Sequence, residues 1–196
     1  MKNNYKSLIS SSITESINIK KMLLTDNNFL DNLIEIYLLI KDALNNKRKI
    51  IIFGNGGSAS DALHINAEFI GRFISNRISL PSICLNSDSV TLTAISNDFG
   101  YESVFSRQIE SLGNTNDIVI GISTSGNSKN VFNALLTAKN KKINTIALLG
   151  KDGGIIKNIA DKSIIVQSNI TARIQEIHIL IGHLICEMVE SNFNND

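Results

Sequence analysis

His64 and Glu68 stand four residues apart in DALHINAEF, and Gln175 and His183 stand eight apart in RIQEIHILIGH. If both segments are helical, the first pair shares one face, a turn apart. An imidazole and a carboxylate so placed suit a proton-transfer pair or two ligands of one metal ion. The same spacing also describes an ordinary solvated i,i+4 couple. Gln175 and His183 are separated by roughly 12 Å of helix rise, so they meet at a single ion only with both side chains converging. Otherwise they serve neighbouring sites or sites shared between subunits; Gly182 leaves room for local adjustment. His178, in the same apolar segment, reads as a buried, hydrogen-bonded histidine. Asn97 and Asp98 in SNDFGY suit sugar hydroxyls or an Asx turn with Gly100, and both readings stand.

Two turns have the composition of anion sites. GNGGSAS follows the apolar run KIIIF and brings Asn55, Gly56 and Gly57, where glycine permits positive φ and close approach of a ligand to the backbone. STSGNS follows DIVIGI and sets the hydroxyls of Ser123, Thr124, Ser125 and Ser128 around Gly126 at a helix start. A helix N-cap needs one or two hydroxyls; this surplus, with free backbone N–H groups and the positive helix end, suits a phosphate monoester. No G-K-[ST] follows, so the turn is not that of a nucleotide triphosphate P-loop. The first turn fits G-x-G-x-x-A. However, the next strand ends at Leu85 and Asn86, without the acidic residue that a dinucleotide ribose requires at the expected spacing.

The elements that must hold these residues follow from periodicity. Tyr5 to Leu24 and Asn28 to Leu44 have helical spacing, broken by Thr25, Asp26 and two asparagines. RKIIIFG, DIVIGIS, NTIALLG and SIIVQS read as buried parallel strands, with PSICLN a further one after the only proline, Pro81. Helical segments lie between and after them, notably Ser58 to Phe73, Ser128 to Lys141 and Ala172 to Val189. The expectation is an α/β domain with a parallel five-stranded sheet, helices on both faces and an N-terminal helical pair. With 196 residues, a single domain (1–196) is expected, with helices over 1–46 and the α/β core over 47–196. The last helix is apolar nearly all round, so it needs cover on several sides, from another helix or a second subunit. Lys and Arg total 19 against 18 Asp and Glu, which gives no basic stripe for nucleic acid. No segment reaches the roughly 18 apolar residues that span a bilayer. Cys84 and Cys186 lack metal-pair spacing, and a reducing cytoplasm fits them.

GNGGS, the helix with HxxxE, SNDFG, GISTSGNS, GKDGG and RIQEIHxxxxH, in this order, resemble the sugar isomerase (SIS) domain family, and within it the isomerases of seven-carbon sugar phosphates. The similarity runs from about Lys49 to Val189. It implies a flavodoxin-like fold and a homotetramer with active sites at subunit contacts. The implied reaction converts sedoheptulose 7-phosphate to D-glycero-D-manno-heptose 7-phosphate, the first step towards ADP- or GDP-heptose. Carried over residue by residue, the resemblance implies one zinc ion per subunit at His64, Glu68, Gln175 and His183. It implies substrate contacts at Asn55, Gly56, Gly57, Glu68, Asn97, Asp98, Ser123, Thr124, Ser125, Ser128 and Gln175. Glu68 is then the base and His183 the partner acid. Glutamine is an unusual zinc ligand, and Ala172 stands where some members carry an acid. A non-catalytic member of the family, associated with a replication initiator, is the rival: LPSICLNSDSVTLTAISND resembles that branch. That branch lacks the counterparts of Glu68 and His183, both present here. A sugar-phosphate sensor fused to a helix-turn-helix regulator is a weaker rival, because the N-terminal helices have no basic recognition face.

Overall fold

The computed structural model describes residues 2–193; Met1 and residues 194–196, inside the expected domain bounds, lie outside the described residues. The apolar runs form β1 (Ile50–Gly54), β2 (Ser82–Cys84), β3 (Ile118–Ser123), β4 (Asn144–Gly150) and β5 (Lys162–Val166). They make one sheet in the order β2-β1-β3-β4-β5, every neighbouring pair parallel, with Ile52 beside Ile120 and Ile120 beside Ile146. This is the flavodoxin-like order, in which ligands bind beyond the carboxyl ends of the strands.

Alternation along the strands feeds two cores. Ile50, Ile52, Ile118, Ile120, Ile146 and Leu148 face one side; Ile51, Phe53, Val119, Ala147 and Leu149 face the other. The first side is closed by α2 (Asn27–Asn45), α3 (Gly57–Ile70) and α7 (Thr171–Glu190), the second mainly by α5 (Ser106–Leu112) and α6 (Lys129–Asn140). Burial on both faces explains why the strands read as near-continuous Ile and Val runs.

The N-terminal pair is α1 (Lys2–Thr25) followed by α2, and the break between them is sharper than the sequence indicates. Asp26 alone separates them, its carboxylate accepting the N–H of Phe29 at 3.2 Å as an N-cap. A further helix, α4 (Ser89–Phe99), was not expected. Its Val90, Thr91, Thr93 and Ile95 favour strands, but Asp88 caps it by accepting the N–H groups of Val90 and Thr91 at 2.9 and 3.1 Å.

The cover for α7 comes from within the chain: β4, β5, α1, α2 and α3 pack on it. A run of uncovered apolar residues lies instead on α1. Tyr5, Leu8, Ile9, Ile13 and Ile17 are 64%, 61%, 58%, 55% and 45% exposed, at helical spacing along one stripe. The apolar face left open thus lies on α1 and not around α7. No helix of the described residues is long and apolar enough to cross a membrane.

Candidate active site

Gly54 ends β1 and the chain turns at once into α3. Gly56 has φ +56°, a conformation that residues with side chains rarely adopt. Gly57 leaves space for the last helix: a Cβ there would stand 2.1 Å from Gln175 Nε2. The turn is fastened from three sides. Asn86 accepts the Gly54 N–H at 3.1 Å and donates to its carbonyl at 2.9 Å. The Asn55 and Asn130 amides face each other, with N···O separations of 2.8 and 2.9 Å, and Tyr101 donates its hydroxyl to Asn55 at 3.0 Å.

One face of α3 then carries the chemical pair. His64 Nε2 is 3.1 Å from Glu68 Oε1, and His183 of α7 brings its Nε2 to 3.4 Å from His64 Nε2. The two rings meet edge-on at 64°, with centroids 5.1 Å apart. Such an approach of α3 to α7 requires Gly182, where a Cβ would be 2.4 Å from Ile65 Cδ1. The helix runs unbroken through this residue, so the glycine serves close packing and not local adjustment. The structure therefore brings His64, Glu68 and His183 together, and seats Gln175 against Gly57 at the start of α3.

The second turn leaves β3, the neighbour of β1. Ser123 Oγ lies 3.0 Å from Ser128 Oγ and 3.5 Å from Ser125 Oγ. Ser128 occupies the N-cap of α6 without making a side-chain cap bond, so capping does not account for its hydroxyl. Asn127 braces the turn: its N–H donates to Ser125 Oγ at 3.1 Å, and its Oδ1 accepts the Ile155 N–H at 3.1 Å. Beneath, GKDGG crosses STSGNS backbone to backbone. A Cβ at Gly126 would stand 2.2 Å from the Gly153 carbonyl oxygen, and one at Gly154 2.4 Å from that of Gly126. The carbonyl of Thr124 lies over Gly150, where a Cβ would come within 2.4 Å of it.

Asn97 and Asp98 lie in the last turn of α4, not in an Asx turn, and bond to each other at 2.9 Å. Asp98 also lines a hollow of about 570 Å³ with Asp88, Thr91, Phe99 and Arg107. None of His64, Glu68, His183 or the clustered serines lines that hollow. His64 is half-exposed, its side chain at 51%. Sequence reasoning missed Asn86, Tyr101, Asn127 and Asn130 as parts of the site. Asn127 and Tyr101 carried a local signal, lying within STSGNS and SNDFGY.

A parallel sheet of this order, with a hydroxyl-rich turn at its carboxyl edge and an acid–base cluster between α3 and α7, agrees with the comparisons. A SIS domain profile matches residues 18–150, and the chain belongs to the SIS domain family. It is 48% identical over 191 residues to a phosphoheptose isomerase of Sulfurimonas denitrificans, covering 97% of this chain and 98% of that one. The structure of a phosphoheptose isomerase from Neisseria gonorrhoeae superposes with a TM-score of 0.90 at 38% identity, covering 95% of this chain and 99% of that one. One from Francisella tularensis gives 0.91 at 32% identity, covering 95% and 98%. Within the SIS family the chain is therefore an enzyme of the phosphoheptose isomerase group.

Proposed function

We propose that the chain interconverts sedoheptulose 7-phosphate and D-glycero-D-manno-heptose 7-phosphate, feeding the formation of ADP- or GDP-activated heptose. The observation that carries the reading is the meeting of α3 and α7, which sets His183 at 3.4 Å from His64 and so beside the His64–Glu68 pair. The hydroxyls of Ser123, Thr124, Ser125 and Ser128 hold the phosphate. The Asn55–Gly57 turn, Asn97, Asp98 and Gln175 contact the sugar. Glu68 takes a proton from C1 of the ketose and returns it to C2 of the enediol; His183 moves the hydroxyl proton from O1 to O2. Both protons are conserved, so the product is an isomer. The non-catalytic rival finds no support, since the relatives above are isomerases.

A zinc ion per subunit is part of the proposal, with His64, Glu68 and His183 as ligands from one chain and Gln175, which this chain seats at the start of α3, reaching the ion from a neighbouring subunit. Two imidazole nitrogens 3.4 Å apart, with a carboxylate oxygen 3.1 Å from one of them, approximate the edges of a tetrahedron with bonds of about 2.0–2.1 Å. No group of three or more His, Cys, Asp or Glu side chains among the described residues closes a metal site, so the reading rests on that facing pair. Bound there, the ion would polarise the substrate carbonyl.

We further propose a homotetramer with sites at subunit contacts, acting in the cytoplasm. The apolar stripe of α1 and the exposure of His64 support the first. The free, buried thiols of Cys84 and Cys186 suit the second.

Turnover of sedoheptulose 7-phosphate by the purified chain, beside Glu68→Gln, tests the reaction. The variant is expected to lose about 10²- to 10⁴-fold in kcat; wild-type turnover in it removes the base assignment. Elemental analysis after chelator-free purification is expected to find zinc, and to find it lost in His183→Ala. A metal-free, active wild type removes the zinc.

A further inference from the structure

Arg77 and Glu190 are charged residues enclosed away from the groups used above, 7% and 3% exposed. Glu190, at the end of α7, accepts the N–H groups of Phe73, Ile74 and Ser75 at 3.0, 2.7 and 2.9 Å. It thereby holds the segment that leaves α3. Arg77 turns back from that segment and donates to the carbonyls of Glu68 and, at 2.9 Å, of Phe69. Carbonyls in the last turn of a helix lack helical partners, and here a guanidinium supplies them. Arg77 Nε stands 3.5 Å from Glu190 Oε1, a charge contact and not a hydrogen bond. One buried pair thus ties the end of α3 to the end of α7.

Two links lead from this pair to the reacting groups. The Glu68 carbonyl bonded to Arg77 belongs to the same residue whose carboxylate faces His64. Phe73, in the segment Glu190 holds, lies against His183 with ring centroids 5.4 Å apart and planes at 32°. Stability alone does not call for such a pair, since apolar residues of similar volume commonly serve as well or better. A fixed geometry between two helices does call for it.

We infer that Arg77 and Glu190 are positioning residues for the isomerisation, setting Glu68 on α3 against His183 on α7 through the Glu68 carbonyl and the Phe73 ring. The inference rests on the catalytic reading of Glu68 and His183 given above.

Two variants test it. Glu190→Gln keeps shape but loses the charge and one accepting oxygen. Phe73→Leu removes the ring and leaves the pair intact. In Glu190→Gln, kcat is expected to fall about 10- to 100-fold, with KM and inhibition by inorganic phosphate changed less than about two-fold, because small misplacements cost rate while the hydroxyl turn lies on another strand. NMR signals of the His183 ring protons are expected to move as Phe73 shifts, and Phe73→Leu gives the full size of that displacement together with a comparable loss of kcat. A folded Glu190→Gln with wild-type kcat, or with reduced kcat and unmoved His183 signals, overturns the inference. If Glu190→Gln does not fold, Phe73→Leu decides, and wild-type kcat in it overturns the inference. Wild-type turnover in Glu68→Gln would overturn the catalytic reading itself, a result distinct from either.

Discussion

His178 is fully buried in α7 and donates its Nε2–H to the Leu149 carbonyl at 3.0 Å, leaving Nδ1 without a partner among the described residues. Burial pushes its pKa down to about 4, against the raising effect of the Leu149 bond. In the unfolded chain the ring takes up a proton near its ordinary value of about 6.5. Between these values only the unfolded state binds that proton. The contribution of neutral His178 is therefore complete above about pH 6.5 and is lost as pH falls towards about 4, a loss on the order of 3 kcal/mol. The melting temperature is expected to drop across this window, and His178→Gln, which still donates but does not titrate, to drop less steeply. Ser128→Ala makes the opposite kind of test. Its hydroxyl caps nothing, so melting should barely change while KM for the sugar phosphate rises about tenfold, as for loss of a hydrogen bond to a charged group. The residues that declared themselves in the sequence did so through local spacing, as His64 with Glu68 and the serines of STSGNS do. Asn130 and Tyr101 act on Asn55 from 75 and 46 residues away, and no spacing rule reaches that far.

At the scale of elements, the sheet was legible because its three central strands, β1, β3 and β4, are buried on both faces and are apolar nearly throughout. Helix α4 was not legible, because its β-branched residues argue for a strand and only the Asp88 cap argues for a helix. The GKDGG turn was noticed as a motif, but its purpose depends on a partner it meets only in three dimensions. It supports STSGNS from below, and both turns use positive φ, +66° at Gly126 and +52° at Gly154. Gly154→Ala is therefore expected to displace the hydroxyl turn, at a cost of about 1–3 kcal/mol from backbone strain alone. Kinetics should show KM raised more than kcat is lowered, and inorganic phosphate should become a weaker inhibitor. An unchanged KM would mean that the crossing of the two turns does not shape the phosphate site.

For the whole molecule, the stripe on α1 bears on stability. If copies of the chain cover Tyr5, Leu8, Ile9, Ile13 and Ile17, unfolding is linked to dissociation and the melting temperature rises with protein concentration. Scans between roughly micromolar and hundred-micromolar protein are expected to show that rise in the wild type and less of it in Ile9→Glu/Ile13→Glu. The contact of His64 with His183 has a consequence of another kind, in time. The two lie 119 residues apart in the chain, and α7, which with α2 and α3 covers one face of the sheet, is the last described element to leave the ribosome. Until it arrives, Ile50, Ile52, Ile120 and Leu148 have no lid over part of their surface, a state prone to misassociation. Closing so long a loop is slow compared with forming helices. After dilution from denaturant, helical circular dichroism should return first and isomerase activity should follow with a measurable lag, making catalysis a late report of completed folding.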